Sequence, residues 1–209
     1  MFVKVELRSK IDDLKNKDIP EPKKFAEKFI EAVKIAENDI SRAVTHNKGI
    51  MNGIDSVVIA TGNDFRATEA GIHAYASKDG SYSSLTHAKL EDNELIYWIE
   101  IPISVGTVGG IINLHPMVKW CLNLLQNPSS KELMSIIGAA GLAQNFSAIK
   151  SLITSGIQAG HMKMHLTNIL NSMNANEIEK IKIKDYFASK MVSYSSVKTA
   201  LDKFRNNEL

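Results

Sequence analysis

From Lys131 to Ser155 the chain offers almost nothing but apolar and small side chains, and this stretch constrains everything around it. Leu133, Ile136, Ile137, Ala139, Ala140, Leu142 and Ala143 leave no polar face, so a helix here must be enclosed on all sides. Ser129 or Ser130 is placed to cap it, with Glu132 in the first turn. Gly138 and Gly141 let neighbouring backbone approach closely, and they are also the points where the helix could break. A helix of this kind belongs at the centre of a fold. At 209 residues and 44% hydrophobic composition, the chain is long enough for one domain with a real core and a small appendage.

The remaining elements follow from local pattern. MFVKVELR alternates, with Val3, Val5 and Leu7 on one side, and reads as a short strand. Pro20 and Pro22 close a polar connector, and a helix runs from Pro22 to about Asn38 with Phe25, Ala26, Phe29, Ile30, Val33 and Ala36 near one face. Asp39 to His46 adds a turn or short helix, and Asn47 to Asn52 a loop or helix start. The β-branched run Val57-Val58-Ile59-Ala60 gives a buried-strand signal ending in a Gly62-Asn63-Asp64 turn, although a helix fits the same residues. Asp64 to Ala76 reads as a helix. Tyr82–Leu90 and Glu94–Ile103 form a hairpin joined by a Glu-Asp-Asn turn. A helix from His115 to Leu125 ends at Asn127-Pro128. Gly156 to Gly160 reads as a hinge, and a helix follows from His161 to about Met173. The tail from Asn174 reads as a turn or strand and then a helix near Ser195 to Phe204. The predicted fold class is α+β: a helix-rich domain with a central apolar helix and a small antiparallel hairpin over 1–155, plus a mobile C-terminal helical lid over 156–209.

A net charge of +2 is too small to argue for nucleic acid or an anionic membrane surface. One cysteine, Cys121, forms no internal disulfide and suits a reducing cytoplasm. The N-terminus does not read as a signal peptide, and no apolar run is expected to reach the roughly 18 residues that span a bilayer.

The stretch SRAVTHNKGIMNGIDSVVIATGNDFRATE, from Ser41 to Glu69, carries the chemistry. HNKGIMNGID, VVIATGND and FRATEAGIHAYA resemble hydroxymethylglutaryl-CoA reductase in its prokaryotic, second-class form. The resemblance continues through SVGTVGGIINLHP, GLAQN and SGIQAGHMKMH. It is dense from about Asp39 to His165 and looser towards both ends. It implies an NADH- or NADPH-dependent, four-electron reduction of hydroxymethylglutaryl-CoA to mevalonate and coenzyme A, or the reverse.

The resemblance also implies roles. Lys48 matches the family's catalytic lysine, whose ammonium steadies the negative carbonyl oxygen formed at each hydride addition. Read without the resemblance, Lys48 is a solvated lysine. Asp64 matches the aspartate that would hold that ammonium charged and oriented, and it is also well placed as a helix N-cap. The two would meet if the backbone between them doubled back. His161 matches the histidine that protonates the departing thiolate. His165 lies one turn on, but HxxxH without a further ligand is a poor metal site, and no metal is expected. His46, His73, His87 and His115 read as structural or exposed. Arg42 and Asn52 match positions that bind the hydroxymethylglutaryl group; their plain alternatives are a surface charge and an Asn-Gly turn. Gln144 reads as a pocket wall and Asn145 as a satisfied core polar group. Gly106, Gly109 and Gly110 resemble a phosphate-cradling turn, yet the spacing is not GxGxxG and tight packing explains them as well.

Two parts of the family pattern are not found: the motif with its catalytic glutamate and the inserted domain that binds the dinucleotide. The residues that bind the cofactor are therefore unassigned, and VKVEL reads as the last strand of that insert. Two readings follow. The chain is one part of a reductase, active with a second copy or a complementary chain. Alternatively, it is a non-catalytic module that binds an acyl-CoA or stabilises a partner.

Overall fold

The computed structural model describes residues 1–154, 157–188, 190 and 192–206, and the side chains at 111, 113 and 157–164 lie outside what is described. The chain divides into two compact units, Met1–Thr154 and Ser155–Leu209.

The first unit contains β1 (Phe2–Lys10), α1 (Pro22–Asn38), α2 (Ile40–Ala60), α3 (Phe65–Ala76), β2 (Thr86–Glu91), β3 (Glu94–Pro102), α4 (Pro116–Leu124) and α5 (Ser130–Ile153). The three strands form one antiparallel sheet in the order β1-β3-β2. β1 pairs along its length with β3, from Phe2 opposite Pro102 to Lys10 opposite Glu94. It therefore belongs to the same sheet as the hairpin, not to a separate inserted domain. The β2–β3 turn places Asp92 and Asn93 at positive φ (48° and 64°), as a two-residue hairpin loop requires.

α5 is the central apolar helix, and its Ser129–Glu132 capping box is complete. It packs against α2, β1, α1 and β3. Contrary to expectation, α5 is long and apolar enough to cross a bilayer by length and composition alone. Its glycines explain its place inside this unit. A Cβ at Gly138 would stand 2.9 Å from Val5 Cγ2, and one at Gly141 would stand 2.7 Å from Ile54 Cγ1. The sheet and α2 thus press onto neighbouring parts of the same helix face. Phe29, Tyr97 and Phe146 fill the space between α1, the sheet and α5, with ring centroids 5.0 Å (Phe29–Tyr97) and 5.1 Å (Phe29–Phe146) apart.

Residues 39–61 depart from the local reading. Ile40–Ala60 is one continuous helix, and Val57–Ala60 is its last turn, not a strand. Asp39 caps it by accepting from the Arg42 N–H. The β-branched run was the misleading signal. Burial at Ala43, His46, Asn47, Ile50, Met51, Ile54 and Val58 has helical spacing, and packing against α5 overrides local propensity. Gly62, at φ 71°, ends the helix. Its N–H donates to Ile59 O and that of Asn63 to Val58 O, closing a Schellman motif.

The second unit contains α6 (Ile157–Ser172), α7 (Glu177–Tyr186) and α8 (Tyr194–Arg205). The backbone from Ile157 to Gly160 is helical where a hinge was expected; Gly156 lies outside the described residues. Residues 177–186 form a helix where a turn or strand was expected, because Asn176 and Glu179 build a capping box. Leu166, Ile169, Leu170, Ala175, Ile183, Phe187, Val197, Ala200 and Leu201 form a core of their own. Glu179, only 7% exposed, receives two bonds from Arg205, at 2.7 and 3.1 Å.

Candidate active-site surface on α2

The motif KGIMNG works as a helical pattern. Gly49 and Gly53 are one turn apart and turn towards α5. A Cβ at Gly53 would lie 2.5 Å from Ala140 O and 2.8 Å from Gln144 Cβ; one at Gly49 would lie 3.4 Å from Asn145 Nδ2. Lys48 and Asn52 each precede one of these glycines, so they fall side by side on the next strip of the helix, exposed along the α2–α5 seam. Gln144, also exposed, stands on the α5 side of that seam next to Gly53. Arg42, Thr45, Lys48 and Asn52 together occupy an arc of about 120° on α2, taking 3.6 residues per turn.

Arg42 is the unusual member. It is half-buried, and its Nη1 donates to Thr45 Oγ1 at 3.0 Å. No carboxylate pairs with it among the described residues. Burial lowers its pKa, whereas Arg8 and Arg205 are both raised by bonded glutamates. A partly desolvated guanidinium without a counter-charge favours an incoming anion, and its fork suits a carboxylate.

Beneath this strip the helix is held by a buried polar network. His46 Nε2 meets Thr86 Oγ1 at 2.6 Å. Asn145 Nδ2 donates to His46 O at 3.0 Å, and the Tyr97 hydroxyl donates to Asn145 Oδ1. Asn47 donates to Ser83 O and accepts from Leu85 N–H. His46 is 1% exposed and its Nδ1 has no partner; burial, then Arg42 and His87, push its pKa down to about 3. It is a neutral structural residue. Asn145 is the satisfied core amide that the pattern implied.

Asp64 stands elsewhere. It caps α3, accepting from the Ala67 N–H at 3.1 Å. Lys48 and the end of α2 are twelve residues apart, about 18 Å at 1.5 Å per residue. From Lys48 to Ala60 the backbone runs on as one helix and turns only at Gly62, and among the described residues Lys48 and Asp64 form no ion pair. What the structure brings to Asp64 instead is the SVGTVGG loop. Asn63 Oδ1 accepts from Gly106 N–H at 2.8 Å and Asn63 Nδ2 donates to Gly106 O at 3.1 Å. Sequence reasoning missed this clip, because an Asn after a glycine reads only as a turn. It also missed Asp55 on α2, which burial and then Glu69 on α3 push up to about 6.

Gly109 and Gly110 have φ of 83° and 49°, as a tight turn needs, and a single 3-10 segment, Gly110–Asn113, follows them. The next α-helix opens only at Pro116, so this turn is not itself a helix N-terminus of the kind that holds a dinucleotide phosphate. His161 falls within α6, but its side chain lies outside the described residues; His165 is exposed.

Comparison with known proteins gives a consistent result. The family model for hydroxymethylglutaryl-coenzyme A reductase matches residues 4–166. The 3-hydroxy-3-methylglutaryl-coenzyme A reductase of Archaeoglobus fulgidus is 42% identical over 169 residues, 79% of this chain and 38% of the relative. A probable reductase of Borreliella burgdorferi is 44% identical over 68% of this chain and 34% of its own length. A class II reductase from Streptococcus pneumoniae, solved bound to NADPH, aligns over 98% of this chain and 50% of its own, with 40% identity and a TM-score of 0.70. The chain thus spans half or less of the relatives it matches. With the motif glycines, the polar strip beside them and the matched span all in agreement, the chain belongs to the hydroxymethylglutaryl-coenzyme A reductase family.

Proposed function

We propose that this chain supplies the substrate-holding and charge-stabilising part of a reductase acting on hydroxymethylglutaryl-CoA, to give mevalonate and coenzyme A or the reverse. The observation that carries this reading is Arg42: a half-buried guanidinium with no acidic partner among the described residues, on the same helical strip as Lys48 and Asn52. Arg42 and Asn52 hold the carboxylate end of the substrate, and Gln144 closes the wall at the α5 side. Lys48 faces the thioester oxygen and steadies the charge that develops there. The C-terminal unit, 156–209, acts as a lid from which His161 protonates the leaving thiolate.

Asp64 completes this site from a second chain. Along one α2 helix Lys48 stands about 18 Å from the end that leads to Asp64, and no Lys48–Asp64 ion pair forms among the described residues, so we assign the pair to Lys48 of one copy facing Asp64 of another. We assign the nicotinamide cofactor, NADH or NADPH, to a complementary chain, since the described residues build no cradle for it. The exposed apolar stripe Met117, Trp120 and Leu124 on α4 agrees with a surface that another chain covers. We place the reaction in the cytoplasm, consistent with a single unpaired Cys121.

The test is complementation. The purified chain is mixed with a separately expressed segment carrying the family's remaining motifs, and oxidation of NADH or NADPH is followed with hydroxymethylglutaryl-CoA. Activity should appear only on mixing, and Lys48→Ala should lower it by about 10²–10³. Acyl-CoA binding with no activity in any mixture would instead favour the non-catalytic module.

A further inference from the structure

A polar cleft lies in the C-terminal unit, lined by none of the residues assigned above. It runs between the end of α7 and α8, with a volume of about 400 Å³, within the range of small-molecule sites. Phe187 and Ala200, both nearly buried, form its floor. Lys190, Lys203, Ser195, Ser196 and Thr199 line its walls, with Tyr186 at one side. No Asp or Glu is among these lining residues. Lys190 Nζ sits 3.3 Å from the centroid of the Tyr186 ring. Lys190 first, then Lys203, lower the Tyr186 phenol pKa, so both ammonium groups act on one point. Ser195 Oγ has a single partner among the described residues, Ser193 Oγ at 3.2 Å. The sequence adds to this local charge. Residues 155–209 carry eight Lys and Arg against five Asp and Glu, a net +3 in a chain whose total is +2.

We propose that this cleft binds the 2′- or 3′-phosphomonoester of an adenosine ribose. Two lysines converging without an intervening carboxylate suit a compact dianion, which ammonium groups meet as point charges. The hydroxyls supply further polar contacts, and the apolar floor accommodates the sugar. The choice of a ribose phosphate rests on the reductase reading, since a coenzyme A thioester carries one at the 3′ position and NADPH one at the 2′ position. The cleft's preference for a phosphate dianion does not depend on it.

The experiment uses the full chain and three probes: adenosine 3′,5′-bisphosphate, adenosine 2′,5′-bisphosphate and AMP. Binding is measured by calorimetry and mapped by amide shifts. At least one bisphosphate should bind about tenfold or more tightly than AMP, as expected for charge-assisted bonds to an added phosphate. The shifts should centre on Ser195, Ser196 and Thr199, and binding should weaken as salt is raised. Lys190→Gln with Lys203→Gln should abolish the preference, while the charge-matched pair Lys184→Gln with Lys198→Gln should keep it. A 3′ preference identifies a coenzyme A type of ligand and a 2′ preference an NADPH type. The proposal is overturned if AMP binds as well as both bisphosphates, if the Lys190/Lys203 variant keeps the preference, or if the shifts fall in the first unit. Such a result would leave the complementation assay, and the reductase reading it tests, unaffected.

Discussion

The two ends of α2 are held by different means. Around Lys48 the helix is tied down from within: His46, Asn47 and Asn145 bond to the sheet and to α5, and Gly49 and Gly53 sit directly against α5. Around Asp64 the backbone is set by an exposed Schellman turn, an N-cap and the Asn63–Gly106 clip. The first end gains rigidity from buried polar groups that have no water to fall back on. The second gains direction from short-range bonds that water can replace. Under the function proposed above, the lysine beside the developing charge draws on the first kind of support, and an aspartate meeting its partner on another chain draws on the second.

The largest effect should come from Asn145→Ala. It takes the shared partner from the Tyr97 hydroxyl and the His46 carbonyl, while Thr86 keeps His46 Nε2. At about 1–3 kcal/mol for each of the two buried groups, the loss should reach about 3–4 kcal/mol. Urea unfolding followed by circular dichroism measures it, and a loss under about 1 kcal/mol would mean the Lys48 end is not held from within.

Next comes the glycine pair. Gly53→Ala drives a methyl to 2.5 Å from Ala140 O and should cost about 2–3 kcal/mol. Gly49→Ala has 3.4 Å to Asn145 Nδ2 and gains helix propensity, so its change should stay within about 1 kcal/mol. Equal costs at the two sites would show that α2 and α5 can slide apart.

The third probe is acid. His46 has a folded-state pKa of about 3, well below the unfolded value near 6.5. Between these values the unfolded chain binds the extra proton, so stability falls as the pH drops below 6.5, by up to about 1.4 kcal/mol per pH unit. Asp55, raised to about 6, works the other way and should blunt this loss between roughly pH 6 and pH 4. Chemical denaturation across this range should show a flatter slope for His46→Gln and a steeper one for Asp55→Asn.

The Asp64 end should respond least. Asn63→Ala removes both bonds to Gly106 and should cost about 1 kcal/mol, with faster hydrogen exchange confined to residues 104–110. Asp64→Ala should cost about 1 kcal/mol as a lost cap, whereas Asp64→Asn, which still caps, should leave the melting temperature nearly unchanged. A large loss with Asn would show that the carboxylate charge has a structural task within the chain.

The hydrophobic pattern and the capping residues made much of this fold legible. Pro22–Asn38, the hairpin, the capped apolar helix and the Asp64-capped helix all follow from local periodicity and end signals. The errors have one cause. Val57–Ala60 and residues 177–186 are rich in β-branched or alternating residues, and both became helices because caps and packing partners outweighed propensity. The family motifs named Arg42, Lys48, Asn52, Asp64, Gln144 and His161. They did not show that Lys48 and Asn52 ride one strip beside Gln144, or that Asp64 follows an α2 end about 18 Å along the helix axis from Lys48.

What the sequence determined unaided is which residues are chemically equipped, because side-chain type and motif order are written in it. It also determined that α5 would be a core helix, although the structure buries only the side carrying Leu133, Ile137, Gly141, Asn145 and Ile149 and leaves Ser135, Ala139, Ala143 and Ser147 exposed. Only the tertiary structure decided that β1 completes the hairpin's sheet, that Asn63 clips the glycine loop, and that one chain keeps its lysine and aspartate apart. Those are facts about distance between residues remote in the chain or at opposite ends of a helix. A pattern of neighbours carries no such distance until packing sets it.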